Sequence, residues 1–496
     1  MDTIQEVSKN MTSILPVLAI LVSLITVIPI ILSSKKPNLR EFWTFTAAFI
    51  KLGLIISMSS WILQGNTYSY KFFELFSFIG FELKVDSFGL LFAFVASILW
   101  IPTSMYSIGY MRPLKEHAQT RYFCFFALAL SATIGVAFSG NLITLYIFYE
   151  LLSLSTYALV THHQDKEARI GGRKYLTYLL GTSIGFALPA IIIVYQLTGS
   201  LDFSQMGLFT GNESMITLSV LLLLFMFGFS KAGIMPFHGW LPGAMVAPTP
   251  VSALLHAVAV VKVGVFCVLR VLTGVFGVTL LSSTFLSTLV CVIAGVTVIV
   301  ASLIALSQDN LKRLLAFSTV GQLSYIILGA GLASKLGVSG SMLHIAMHAF
   351  GKITLFFCAG AIYVATKKKY ISQLDGIGKI MPFTMGAFIV GSLSVIGLPP
   401  TGGFISKWMM LLGALDAEMS MVMVIYLVSS FLNACYFFPI IYRAFFKALP
   451  KSSTATLTTI KEAPLFCVLP PVMTAAFSII LFFKYDVVME LIKGAL

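Results

Sequence analysis

His344, His348 and Lys352 recur at every fourth position of the apolar stretch SMLHIAMHAFGKITLFF. In an α-helix that interval stacks all three on one face. Steps of ~6 Å between protonatable groups suit proton hopping through intervening water. One buried histidine is most often a satisfied core residue. Two histidines and a lysine on one stripe favour a relay. HxxxH is also a metal-ligand spacing, but no third ligand accompanies it, so no metal is assigned.

Lys51, Lys231, Lys262 and Lys407 also lie within apolar stretches. A charged side chain at the bilayer centre costs at least ~2.5–3.5 kcal/mol on the permissive insertion scale, which marks such residues as functional. Lys51, about two turns into its stretch, is read as snorkelling its stem to the headgroups. Lys231, Lys262, Lys352 and Lys407 fall nearer mid-span or beside backbone breaks. Glu150, in NLITLYIFYELLSLSTYALV, is the one acid placed at a span centre. One acid cannot neutralise four lysines. Burial and like charge both favour the neutral amine, so the surplus points to lysines that are neutral for part of a cycle. Such groups in a wet cavity are proton-relay candidates. His256 and Lys262 are six residues apart. A regular helix does not put them on one face, whereas a local bulge would align them. His238 follows a backbone break. Ser318 and Gln322, with Gln308 and Asp309, are softer candidates for binding water. His162 and His163 fall at a membrane edge and read as solvated.

The elements that must hold these residues are membrane helices. Apolar runs of ~20 residues, each enough to cross a bilayer core, fill nearly the whole chain. About fourteen spans are expected, near 13–33, 43–63, 86–107, 122–138, 141–160, 174–197, 216–236, 251–272, 282–304, 314–333, 342–365, 382–412, 420–442 and 464–483. Segment 64–85 alternates aromatic and polar residues and suggests a surface hairpin; 198–215 is polar enough for an external loop. Two spans are interrupted by Gly and Pro: GFSKAGIMPFHGWLPGAMVAPTP (228–250) and GLPPTGGFISK (397–407). Such breaks survive at membrane depth only where protein or a water-filled cavity satisfies the freed backbone groups. Two of them, each beside a lysine and in corresponding halves of a chain, are the sequence sign of an ion-transport repeat.

Composition agrees. The 496 residues are 58% hydrophobic and 10% charged, too apolar for a soluble domain. Continuous rather than alternating runs exclude a β-barrel. The net charge of +13 would suit nucleic acid in a soluble protein. Here no nucleic acid is expected, because the basic residues sit in short loops. With both termini outside, the cytoplasmic loops hold 20 basic residues and the external side 7, with the other five in spans, which obeys the positive-inside rule. The six cysteines are scattered singly, so no iron–sulfur, zinc or haem site and no disulfide framework is expected. The first apolar run lacks a preceding basic region and reads as a retained helix.

These motifs carry a family resemblance. Glu150 in FYELLSLSTY, SKAGIMPFHGWLPGAMVAPTPVSALLHAVAVVKVG, QDNLKRLLAFSTVGQLSY, HIAMHAFGKITLFFCAGAIY and GLPPTGGFISKW resemble the antiporter-like subunits of respiratory complex I and of Mrp-type cation/proton antiporters. The resemblance covers residues 85–445. It implies an all-α polytopic membrane protein of about 14 transmembrane helices, with two inverted five-helix repeats and broken helices 7 and 12. The implied divisions are 1–121 (helices 1–3), 122–272 (helices 4–8), 273–445 (helices 9–13) and 446–496 (helix 14). By the same resemblance Glu150 is the fifth-span glutamate, Lys231 its seventh-span partner, Lys262 the central eighth-span lysine and Lys407 the terminal twelfth-span residue. A lysine at Lys407 resembles the D-type members of Mrp assemblies. On this resemblance neither the long lateral helix of the largest complex I member nor the extended half of the A-type Mrp member is expected. A subunit of a membrane-bound hydrogenase or NADH-quinone oxidoreductase pump stays open.

The implied function is proton translocation, with Na⁺ a candidate counter-ion, inside a multi-subunit complex of the plasma (inner) membrane of a prokaryote. The site residues are Glu150, Lys231, Lys262, His344, His348, Lys352 and Lys407, with His256, His238, Ser318 and Gln322 secondary. Glu150 and Lys231 form a switchable pair, and the proton passes through Lys262 and the histidine stripe to Lys407. At an effective dielectric of ~20, charges 7–10 Å apart interact by about 1.7–2.4 kcal/mol, more than one pKa unit. Neighbouring sites are thus coupled, and the ion must hop. No cofactor or catalytic redox site is expected in this chain; partners are other membrane subunits, H⁺ and the lipid bilayer. The alternatives are a stand-alone transporter of a small solute, recognisable by a substrate-sized cavity, and a purely structural subunit, in which mid-membrane charge mutants still work.

Overall fold

A computed structural model describes residues 9–76, 79–448 and 460–495. The first eight residues, the tip of the expected hairpin at 77–78, and Lys451 of the charge count lie outside them.

Twelve described helices are long and apolar enough to cross a membrane, and Met215–Gly228 and Pro382–Ile396 are shorter apolar helices. Helices prevail because every backbone polar group at membrane depth must be satisfied internally. Several start on a side-chain cap: Asp86 Oδ1 accepts from Gly89 N, Asn141 from Thr144 N, Asp165 from Ala168 N, Asn310 from Arg313 N and Ser334 from Gly337 N. Each cap removes one orphan donor of a first turn.

The innermost helices are Thr249–Phe276, Leu311–Gly331 and Lys335–Thr366; the most apolar window of each is wholly buried. Leu15–Leu32, Pro37–Ile62, Ser420–Phe446 and Leu465–Phe483 bury about a third of theirs and turn apolar side chains outward. Lys335–Thr366 is packed by Leu311–Gly331, Pro382–Ile396, Gly402–Asp416 and Leu465–Phe483. The titratable stripe of His344, His348 and Lys352 therefore runs through the middle of the protein.

Both expected breaks are present. Met215–Gly228 ends eight residues before the expected span end, then continues as a 3₁₀ turn, Ser230–Ala232, and an irregular segment to Trp240. The second expected span is two helices, Pro382–Ile396 and Gly402–Asp416. At their junction Gly397 adopts φ +90°, and the stem of Lys407 passes where a Cβ would stand. Glycine takes up that conformation without strain. After the first break the chain runs through Thr249–Ala253, a π-helical turn at Leu254–Val258, and Val260–Val271. The π-turn supplies a local bulge between His256 and Lys262, one of the two arrangements their spacing leaves open. Another π-turn, Ser183–Ala187, interrupts the helix Lys166–Thr198.

The expected surface hairpin is part of a three-stranded sheet. Thr67–Phe76 pairs antiparallel with Ile79–Val85, and Asn10–Thr12 adds in parallel with Asn10 opposite Thr67. Segment 199–214 forms no helix.

Candidate functional site

Lys231 leaves the 3₁₀ turn fully buried and crosses to the helix Leu142–Val160. Its Nζ donates to the Tyr149 carbonyl at 2.8 Å and to Ser153 Oγ at 2.6 Å, and lies 3.0 Å from the centre of the Tyr149 ring. Gly264 makes this approach feasible, because a Cβ there would meet the backbone of Lys231 and Ala232. Lys231 thus reaches the turn that carries Glu150 without forming an ion pair with it. Both Glu150 oxygens are buried and lack a hydrogen-bond partner. The Ser183 hydroxyl nearby donates to the Leu180 carbonyl at 3.1 Å. Among the described residues, no carboxylate lies within 4.0 Å of Lys51, Lys231, Lys262, Lys352 or Lys407.

The central row runs from Lys262 through the two histidines to Ser406. Lys262 Nζ lies 2.7 Å from His348 Nδ1. The rings of His348 and His344 stack with centroids 5.6 Å apart. His344 joins Ser406 Oγ through Nδ1 at 2.8 Å and Gln322 Oε1 through Nε2 at 3.1 Å. Ser406 immediately precedes Lys407, whose Nζ donates to the Val395 and Ile396 carbonyls at 2.7 and 3.2 Å. Those are freed carbonyls at the end of the half-helix Pro382–Ile396, where a cation also meets the negative end of the helix dipole. Lys352 opens a side branch: Nζ donates to Ser318 Oγ at 2.8 Å, whose hydroxyl lies 2.9 Å from Tyr436 Oη, and Tyr436 donates its one hydrogen to Asn433 Oδ1. Neither His348 Nε2, Gln322 Nε2 nor Asn433 Nδ2 has a protein partner.

A cavity of about 720 Å³ opens at the face bearing Lys174, Lys312, Arg313, Lys368 and Lys369. His238 lines it. Lys312, expected in a loop, reaches inward and donates to the Ala247 carbonyl at 2.7 Å. His256 is buried against Phe356, with no protein partner on either ring nitrogen, and Lys352 and Lys312 are the cations that act on it. The bulge thus turns both His256 and Lys262 toward the helix Lys335–Thr366.

Two expectations are corrected, for Lys51 and for His162. Lys51 does not snorkel: it is fully buried and donates to Ser23 Oγ at 2.6 Å and the Leu130 carbonyl at 3.4 Å. Helices on both sides close over it, which its depth along one helix does not reveal. Gln308 and Asp309, softer candidates for binding water, make local bonds: the former donates to Ile304 O and Ser307 Oγ, the latter accepts from Ser372. His162 is not solvated but 0% exposed. Burial pushes its imidazole down to about 4. Its neighbour His163 pairs with Glu116 at 3.3 Å, which raises the histidine's pKa and lowers the glutamate's.

The family model described as "NADH:quinone oxidoreductase/Mrp antiporter, TM" matches residues 139–433. This chain belongs to that family. The match spans every residue of the row, from Glu150 to Lys407. Within the family, the NADH-quinone oxidoreductase subunit N of Desulforudis audaxviator (strain MP104C) is 31% identical over 450 residues, 89% of this chain and 88% of that protein. The A1 subunit of the Na(+)/H(+) antiporter of Staphylococcus haemolyticus (strain JCSC1435) is 35% identical over 373 residues, 71% of this chain but 45% of that protein. The chain spans about half the length of the Na(+)/H(+) antiporter and chloroplast relatives it matches. Two solved structures share the fold at TM-score 0.84. One is the Mrp complex from Dietzia sp. DQ12-45-1b, 21% identical and covering 97% of this chain and 96% of the matched one. The other is the membrane-bound sulfane sulfur reductase, an archaeal respiratory membrane complex, at 24% and 97% of each.

Several residues that hold the row and its side branch escape sequence reasoning: Tyr149, Ser153, Ser406, Asn433 and Tyr436. Ser406 adjoins a flagged lysine. Asn433 and Tyr436, one turn apart in an apolar helix, are the signal that could have found the side branch.

Proposed function

We propose that this chain is a proton-translocating membrane subunit of a multi-subunit Mrp-type or complex I-like assembly, with Na⁺ a candidate counter-ion. The observation that carries this reading is the row itself: buried lysines without carboxylate partners among the described residues, each held on neutral groups, with Lys262 bonded to a histidine of the stripe. Lys262 and Lys352 each have a single neutral hydrogen-bond partner, too few acceptors to offset the desolvation of a permanently charged ammonium. An amine that gives up its proton carries no such cost.

The geometry supports hops. Lys262 and His348 share one short hydrogen bond, which suits passing a proton from nitrogen to nitrogen. His348 and His344 are too far apart for direct transfer, so a water must bridge them. From His344 the path runs through Ser406 to Lys407 at the second break. Glu150 controls the other end. Lys231 now rests on Tyr149 and Ser153; turning it one side-chain rotation toward the Glu150 carboxylate would stabilise its charge, and turning it back would release the proton toward Lys262.

The cavity lined by His238 and Lys312 is a water-filled way in. Its rim carries basic residues that the positive-inside rule assigns to the cytoplasm, which favours both termini outside, in a prokaryotic plasma membrane. The matched breaks support two repeats, 122–272 and 273–445. Subunit N of Desulforudis audaxviator, matched over 88% of its length, favours a complex I-like parent over an Mrp assembly as a second reading; mass spectrometry of the intact complex decides between them. The functional test is proton pumping by the assembled complex in vesicles. Glu150→Gln and Lys231→Ala should each abolish most pumping while leaving assembly intact. Near-normal pumping in either variant refutes the scheme.

A further inference from the structure

Away from the row, two connections meet on the face where the cavity lined by His238 and Lys312 opens. One is the turn between Ser87–Met111 and Gln119–Ala137, which carries Glu116 and His117. The other follows Leu142–Val160 and carries His162 and His163. One ligand atom from each of Glu116, His117 and His162 falls within 4.8 Å of the others. The rings of His117 and His162 are 4.8 Å apart, and His163 Nε2 lies 3.3 Å from Glu116 Oε2. His162 is 0% exposed, yet neither ring nitrogen has a protein partner. Buried polar atoms in native proteins are satisfied, so this imidazole needs a partner that the protein alone does not supply.

We propose that Glu116, His117 and His162 bind one divalent transition-metal ion, with His163 fixing the Glu116 carboxylate. Imidazole nitrogens select zinc-like ions over magnesium or calcium. Two histidines and a glutamate with one open position are a known ligand set for zinc. Bonds of ~2.0–2.2 Å put ligand atoms closer together than they stand here, and the exposed His117 is free to rotate inward. His163 plays the part of the outer partner that orients a ligating carboxylate. The ligands are held firmly: Glu116 N donates to Met111 O at 3.0 Å, and Arg121 donates to the His162 carbonyl at 2.7 Å. Arg121 and Lys312 are the nearby cations that oppose a metal, and Glu116 offsets them. Glu116 and His163 line the cavity, so an ion reaches the cluster from water. The site lies outside the matched family segment, 139–433, in its Glu116 and His117 half.

The test uses the purified full-length chain in its complex, stripped with a chelator. Zn²⁺ is titrated by calorimetry, and Co²⁺ serves as an absorbance probe of coordination. One saturable site per chain is expected, with the visible bands of four-coordinate Co²⁺. His117→Gln and His162→Gln should each weaken binding at least ~100-fold, and His163→Gln by roughly 10–100-fold. His117 is exposed, so its variant keeps the fold and decides the matter even should His162→Gln fail to fold. Absence of a saturable site in the wild type, or unchanged affinity in His117→Gln, overturns the proposal.

Discussion

At the scale of single residues, Lys262 and His348 are the pair to separate. His348→Gln keeps an acceptor within reach of Lys262 but cannot take up a proton and release it. His348→Ala removes the acceptor as well and leaves a buried amine unsatisfied, at a cost of about 1–3 kcal/mol. The glutamine variant should therefore assemble with a near-normal Tm and pump little, and the alanine variant should lose both. A glutamine variant that pumps normally shows that the proton does not pass through His348. Charged residues of the row are legible in the sequence because a charge in an apolar stretch has a cost that type alone exposes. Tyr149, Ser153 and Ser406 carry no such cost, since a hydroxyl satisfies itself on its own helix, as Ser153 also does on the Tyr149 carbonyl. Their role shows only once Lys231 and His344 are placed against them. Lys51 misleads for the converse reason: depth along one helix says nothing of the neighbours that cover it.

At the scale of elements, the breaks matter because they let backbones approach. Gly264 admits the turn carrying Lys231. Gly264→Ala pushes a methyl group into backbone that cannot rotate away, and should destabilise the protein by about 1–3 kcal/mol. Gly386 lies in the helix Pro382–Ile396 with nothing near its would-be Cβ. Gly386→Ala should be neutral or stabilise by up to about 1 kcal/mol, through the lower entropy cost of alanine. Tm values of the two purified variants check the contrast, and equal effects would mean that the close approach at Gly264 is not needed. Hydropathy places most helices because their length is set by the bilayer. It does not place the end of Met215–Gly228 or the π-turn at Ser183–Ala187, since both depend on what packs alongside.

At the scale of the whole molecule, an ion pair pins the face opposite the cavity lined by His238 and Lys312. Asp86 caps the helix Ser87–Met111 and accepts two hydrogen bonds of 2.5 Å from Arg270 at the far end of Val260–Val271. The pair joins the N-terminal helices to the π-bulged helix that carries Lys262, and it borders a second cavity of about 810 Å³. Burial alone would raise the Asp86 pKa, but the charge and hydrogen bonds of Arg270, with the Gly89 amide, outweigh it and hold the carboxyl below its ordinary value. The sign follows. A depressed folded pKa contributes stability that is complete above the unfolded value of about 3.9 and is lost as pH falls through the lower folded value. Asp86→Asn keeps an N-cap, since asparagine caps as well as aspartate, and removes only the charge. The wild type should exceed Asp86→Asn in Tm at neutral pH, and the gap should close as pH drops below about 4. A gap that stays constant down to about pH 3 would assign the stabilisation to packing around Arg270, whose guanidinium also lies over Phe88 and Phe266, rather than to the ion pair.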